Sequence, residues 1–253
     1  MNIFFRVDSS IQMGIGHLMR CLTLAEALRK KESSVSFICR ELPGNLCDFI
    51  EKKGFKVYRL PYTTVTHNNQ SSGYAQWLGV SWKEDAEQTK VILEKEASMI
   101  NWLIIDNYAL DKQWEALIRP FVGKIMIIDD LADRPHNCDL LLDQNLYEDI
   151  ETRYEGLVPN HCQLLLGPRY ALLRQEFIEA RKNLRERDGN VKNILIFFGG
   201  TDPTNETLKA IEAIRLLNRS DIAIVVVVGE ANPHKVKIAD VCSAMPNTHY
   251  HCQ

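Results

Sequence analysis

Apolar runs and amphipathic stretches alternate along this chain. Short, largely apolar segments at residues 2–7, 35–39, 56–60, 102–106, 124–129, 140–142 and 163–166 predict strands. Between them, residues 17–30, 44–53, 82–98, 111–119 and 171–187 predict amphipathic helices. A strand apolar on both sides cannot face water, so the pattern calls for a parallel sheet covered by helices on both faces. Residues 61–79 break the rhythm. They are polar and rich in Thr, Asn, Gln and Ser, and read as a long loop or a surface lid.

A boundary falls near 185–191, where a charged stretch ends in Asp188-Gly189-Asn190. The pattern then restarts with a strand at 193–198, a glycine loop, a helix at 204–217, a strand at 222–228, a helix at 234–244 and a last strand opening at Thr248. The expected fold is α/β, with two Rossmann-like domains facing across a cleft. They are an N-terminal domain with the catalytic loop at residues 1–187 and a partial, nucleotide-binding domain at 191–253. The second is read as incomplete, because three strands stand where a doubly wound half needs about five or six.

Composition narrows the partners. The 253 residues carry 30 Lys and Arg against 33 Asp and Glu, a net charge of -3. Nothing electrostatic recommends nucleic acid or an anionic membrane surface. No apolar run approaches the ~18–20 residues of a membrane span. The N-terminus is a strand bearing Arg6 and Asp8, not a signal peptide. Seven cysteines, an odd number with no Cys-x-x-Cys pair, are expected as reduced thiols in the cytoplasm.

Candidate chemistry gathers where strands end. The first strand runs into Asp8-Ser9-Ser10, then Gly14-Ile15-Gly16-His17 at the start of a helix. Amides in a first helical turn lack intrahelical partners and the helix dipole is positive there, so the turn suits a phosphate. The same positive end disfavours a protonated imidazole, so His17 is expected neutral near pH 7 and able to accept a proton. The other reading of His17 is a capping or packing residue. A dinucleotide fingerprint is absent, because no third glycine follows Gly16 and the second strand closes with Cys39-Arg40 rather than an acid.

Ile105-Asp106-Asn107-Tyr108 closes another strand, and Tyr108 is placed to donate to a sugar or phosphate oxygen, or else simply packs. Asp129-Asp130 closes a third. Paired acids can bind a metal, but no histidine stands at ligand spacing and no metal site is expected. Gly199-Gly200-Thr201-Asp202 is a second phosphate-type loop or a plain helix start, and it lacks the Gly-Lys-Ser/Thr ending of a triphosphate loop. The remaining histidines, His67, His136, His161, His234, His249 and His251, are expected at the surface or at caps.

Taken in order, these pieces resemble the PseG family, the UDP-sugar hydrolases of pseudaminic acid biosynthesis. The resemblance extends through Cys138-Asp139-Leu140-Leu141, Tyr154-Glu155-Gly156-Leu157-Val158-Pro159 and Gly167-Pro168-Arg169-Tyr170-Ala171-Leu172-Leu173-Arg174-Gln175-Glu176-Phe177 to Gly199-Gly200-Thr201-Asp202. It implies a GT-B framework of the MurG type and hydrolysis of UDP-2,4-diacetamido-2,4,6-trideoxy-β-L-altropyranose. Water would attack the anomeric carbon with inversion. His17 matches the family's catalytic base and Tyr108 its active-site tyrosine. Arg6, Asp8, Gly14, Gly16, Arg20, Asp106, Tyr170, Arg174, Gly199, Gly200, Thr201 and Asp202 are the candidate substrate contacts. No cofactor is implied, the partner is the UDP-sugar, and a monomer is expected. The family's second domain continues through a further nucleotide-holding segment and an asparagine, so the chain is expected to be a C-terminally shortened form. The rival readings are a GT-B glycosyltransferase using a UDP-sugar and a non-catalytic nucleotide-sugar binding fragment.

Overall fold

A computed structural model describes residues 1–62, 73–184 and 186–253. Two compact units divide the chain, Met1–Lys182 and Asn183–Gln253.

The first unit is a seven-stranded, all-parallel sheet. Its strands are β1 (Asn2–Val7), β2 (Ser34–Arg40), β3 (Lys56–Leu60), β4 (Ile100–Asp106), β5 (Val122–Ile128), β6 (Leu140–Asp143) and β7 (Gln163–Leu166), in the order β3-β2-β1-β4-β5-β6-β7. The helices are α1 (Gly16–Lys30), α2 (Cys47–Lys52), α3 (Trp82–Glu94), α4 (Lys112–Ile118) and α5 (Gln175–Lys182). Successive side chains of a strand point to opposite faces, and β1 shows the result. Ile3, Phe5 and Val7 join one apolar core with Leu18, Cys21, Leu22 and Ala25 of α1. Phe4 joins the other with Leu103, Ile105 and Trp114. Both faces of β1 are covered, as a largely apolar central strand requires.

The strand order reverses between β1 and β4, and the carboxyl ends of neighbouring strands meet there. In open α/β sheets that crevice is where ligands bind. Val7, the last residue of β1, is in register with Asp106, the last of β4.

Three expected helices are clearly shorter than their patterns, and one of them, α3, stops at Glu94 rather than at 98. Gly44 has φ +78° and the Asn45 side chain accepts from the Cys47 amide, so α2 begins at Cys47 rather than at 44. Residues 171–174 are non-helical and α5 covers only Gln175–Lys182, with no buried residue. Of the loop or lid expected at 61–79, residues 63–72 lie outside the described residues. Its end is a 3₁₀ turn, Gly73–Leu78, anchored by buried Leu78.

The second unit has a three-stranded parallel sheet, β10-β9-β8, from β8 (Asn193–Ile196), β9 (Ala223–Val228) and β10 (Thr248–Cys252), with α6 (Glu206–Leu217) and α7 (Lys235–Ser243). Ile196, Ile211, Ile224, Val226, Val228 and Ile238 form its own core. Among the described residues, no helix is long and apolar enough to cross a membrane. All seven cysteines are free thiols.

Candidate active site

The glycine turn is a small closed loop. Ser10 and Gly14 pair as an isolated antiparallel bridge, with the Gly14 amide donating to the Ser10 carbonyl at 2.9 Å, and the Ser10 hydroxyl accepts from the Met13 amide. Gly14 has φ +74°, a conformation that favours glycine. α1 begins at Gly16 with no side-chain cap, so its first amides are not claimed by one. His17 is the second residue of that helix.

The His17 ring is held from below. Its Nδ1 lies 2.6 Å from Asp106 Oδ1, a contact that spans 89 residues of sequence. Arg20, one turn further along α1, grips the same carboxylate with two hydrogen bonds, Nε to Oδ2 at 2.6 Å and Nη2 to Oδ1 at 2.7 Å. Cys21 Sγ adds a contact at 3.5 Å. Burial pushes the Asp106 pKa up, but the hydrogen bonds from Arg20 and His17 outweigh it and hold the carboxyl below the usual range. An ionised carboxylate only accepts, so His17 Nδ1 must donate to it. Arg20 Nη2, 3.2 Å from Nδ1, is then a neighbouring charge and not a second hydrogen-bond partner. The proton-accepting position of a neutral His17 is therefore Nε2.

Tyr108 stands over this pair. Its ring meets the imidazole edge-on, centroids 4.5 Å apart, and its hydroxyl donates to Asp130 Oδ1. Asp130 Oδ2 accepts from Arg20 Nη1 at 3.2 Å. Burial first, then the bond to Asp130, raises the Tyr108 pKa well above its ordinary value, so it stays a phenol. The sheet thus brings together His17, Arg20, Asp106, Tyr108 and Asp130 from the ends of β1, β4 and β5.

Other expected site residues sit elsewhere. Arg6 and Asp8 are 0% and 1% exposed and belong to a buried charge network. Arg6 binds Asp8 and Asp85, Arg40 binds Asp85, Asn107 donates to Asp8 and Trp114 Nε1 donates to Asp85. Burial lowers the Arg6 pKa, but Asp8 and Asp85 more than offset it, so the guanidinium stays charged. This network faces the core under β1. Tyr170 packs against the apolar cluster beneath α1. Arg174 is exposed, pairs with Glu176 at 3.1 Å and lies over the Phe177 ring.

In the second unit, the Asp202 carboxylate accepts from the Glu206 and Thr207 amides at 2.8 and 2.9 Å and caps α6. Gly199 has φ +80°, Gly200 and Thr201 are exposed, and the loop rests on Gly229, where a Cβ would come within 2.1 Å of the Gly200 carbonyl oxygen.

Asp129 is paired with Arg134 at 2.9 Å, without hydrogen-bond geometry, and accepts from the Ala132 amide and the Tyr154 hydroxyl. Among the described residues, no three His, Cys, Asp or Glu converge as metal ligands. The surface expectation is corrected at His136, which is 4% exposed with Nδ1 2.6 Å from buried Glu115. The buried Glu115 carboxylate takes the place of water at Nδ1. His67 lies outside the described residues.

Sequence reasoning missed Tyr74 and Trp77. Both rings pack around Tyr108, at 5.0 and 6.0 Å between centroids. The available signal was two aromatics three residues apart, the repeat of a 3₁₀ turn.

No protein-family model matches this chain. Over 210 residues it is 36% identical to the UDP-2,4-diacetamido-2,4,6-trideoxy-beta-L-altropyranose hydrolase of Campylobacter jejuni, covering 83% of this chain and 64% of that protein. Over 232 residues it is 28% identical to an uncharacterized protein of Methanocaldococcus jannaschii, covering 90% of this chain and 43% of that protein. The chain therefore spans under two thirds of the first relative's length and under half of the second's. The resemblance drawn from the motifs is matched by the first of these similarities.

Proposed function

We propose that this protein is a UDP-sugar hydrolase of pseudaminic acid biosynthesis, built on two Rossmann-like domains of GT-B type. Its substrate would be the one named for the Campylobacter relative. In this reading the water oxygen bonds to the anomeric carbon as the bond from that carbon to the diphosphate oxygen breaks. The leaving UDP keeps the electron pair, and the configuration inverts. His17 Nε2 takes the water's proton. Asp106 holds Nδ1–H and offsets the positive charge that the ring gains. Arg20 keeps Asp106 ionised and aimed. The Tyr108 hydroxyl, tied to Asp130, orients the sugar or the water. The amides around Gly16 receive negative charge as the diphosphate departs.

Arg6 and Asp8 act in this reading as supports beneath the glycine turn. Tyr170, Arg174 and Asp202 take no step. The protein is read as a cytoplasmic monomer without cofactor.

The observation that carries the proposal is the 2.6 Å contact between His17 and a buried, ionised Asp106 at the point where strand order reverses. It builds a base with one fixed tautomer in the crevice where such folds bind ligands. The test is release of UDP from the UDP-sugar, with NMR of the first-formed anomer. His17→Ala should lower turnover by about 10²–10⁴-fold, the usual worth of a general base. Near-native turnover by that variant, or a retained anomer in the wild type, refutes it.

A further inference from the structure

One wall beside His17 takes no part in the chemistry above. The 3₁₀ turn Gly73–Leu78 sets Tyr74 and Trp77 three residues apart, and that spacing stacks side chains on one side of such a turn. Buried Leu78 and Val80 pin it to the core. Trp77 lies 6.0 Å from Tyr108 with ring planes 30° apart, and Tyr74 meets Trp77 edge-on at 4.7 Å. The indole is 6.5 Å from the His17 ring.

Trp77 also lines a cavity of about 270 Å³, together with Ser10, Ile11, Gln12, Pro43, Tyr62 and Gln76. Ile11 and Ile15, on the glycine turn itself, are 68% and 51% exposed. Small-molecule sites run to about 300–1,000 Å³, so this cavity has room for part of a sugar and not for a nucleotide. Its lining joins apolar and aromatic surface to a few polar side chains, those of Ser10, Gln12 and Gln76.

That lining suits a sugar in which methyl groups replace hydroxyls. Acetamido methyls and a deoxy carbon bury well against indole and isoleucine, and the amide of an acetamido group can meet Ser10 or Gln12. A hydroxyl placed in the same spot loses water and gains no partner. We propose that Trp77, Tyr74 and the cavity beside them form the sugar-specificity site. They grip a deoxy, acylamino hexose by its methyl groups and its C–H face, and turn away fully hydroxylated hexoses. The assignment rests on the site being a UDP-sugar site, as proposed above.

The experiment measures binding and hydrolysis separately, on the full chain. The ligands are UDP, the UDP-linked diacetamido-trideoxy sugar and UDP-glucose, each titrated calorimetrically, while released UDP reports hydrolysis. One methyl in a hydrophobic pocket is worth roughly tenfold or more in discrimination. Wild type should therefore bind the diacetamido sugar nucleotide at least about tenfold tighter than UDP-glucose. Trp77→Ala should erase most of that margin and leave UDP affinity unchanged, while Trp77→Phe keeps most of it. Tyr74→Ala, at an exposed position, serves if Trp77→Ala does not fold.

A margin untouched by Trp77→Ala or Tyr74→Ala, or a loss of UDP affinity in step with it, overturns the assignment. So does a wild type without preference. A Trp77-dependent preference without UDP release leaves this site standing and overturns the hydrolase reading. UDP release with no Trp77-dependent preference does the reverse.

Discussion

Replacing Asp106 by Asn tests the centre of the site, because it keeps the shape and removes the charge. The native carboxylate accepts from His17 Nδ1, Arg20 Nε, Arg20 Nη2 and Cys21 Sγ, with its side chain fully buried. An amide offers one accepting oxygen and one donating nitrogen. If the oxygen stays on Arg20, the NH₂ group faces His17 and forces Nδ1 to accept. Nε2 then carries the ring proton and cannot take one from water. Turnover should fall by about 10²–10⁴-fold, as for loss of the base itself.

Stability should fall as well. Removing one member of a buried ion pair costs about 3–5 kcal/mol. Arg20 is 12% exposed and keeps Asp130 at 3.2 Å, so about 2–3 kcal/mol is expected. At about 2–4 °C per kcal/mol for a domain of this size, Tm drops by about 5–10 °C. The pH dependence has a definite sign. Asp106 has its pKa depressed by folding, so its stabilisation is fully present above the unfolded carboxylate value of about 4 and is lost as pH falls through the folded value. The Tm gap between wild type and Asp106→Asn should therefore be flat above about pH 5 and close below about pH 4. Circular dichroism melts from pH 3 to 8 and a UDP-release assay read both effects. Turnover within threefold of wild type, or a gap that widens on acidification, would refute the argument.

Arg6→Met leaves Asp8 and Asp85 buried without their shared partner, so unfolding free energy should fall by about 3–5 kcal/mol; KM below the melting range should not change, and a raised KM with unchanged stability would return Arg6 to the substrate. Turnover should persist in EDTA, because Asp129 and Asp130 are tied to Arg134, Tyr154, Arg20 and Tyr108; loss restored by a single divalent ion would contradict this. Gly229→Ala puts a Cβ 2.1 Å from the Gly200 carbonyl oxygen, so it should displace the Gly199–Gly200 loop and weaken UDP binding, read by calorimetry, with the Tm of the first unit unchanged.

Much of this was legible in the sequence because it is local. The largely apolar segments announced strands, and β1, β3 and β7 run between the residues the pattern marked; β1 is buried on both faces, while β3 and β7, at the edges of the sheet, are partly exposed. The Gly14-x-Gly16 turn announced a helix start, and His17 sits in the first turn of α1. Asp106 and Tyr108 stood out as polar groups ending a buried strand.

Their roles in the assembly were not legible. Whether Asp106 meets substrate or His17 depends on β4 lying beside β1 in register, Val7 against Asp106. Periodicity within either strand says nothing about which strand is its neighbour. Arg6 reads as a charge near a strand end, and only the packing of α3 against β1 brings Asp85 to it and makes it a buried structural ion. Tyr74 and Trp77 lie in a stretch whose polar composition suggested loop, and their rings gain meaning from Tyr108, more than thirty residues away in sequence. Secondary structure follows from spacings of two to four residues, which any window of sequence displays. The site is made by contacts between residues dozens of positions apart, and those are set by strand order and register, which only the folded chain decides.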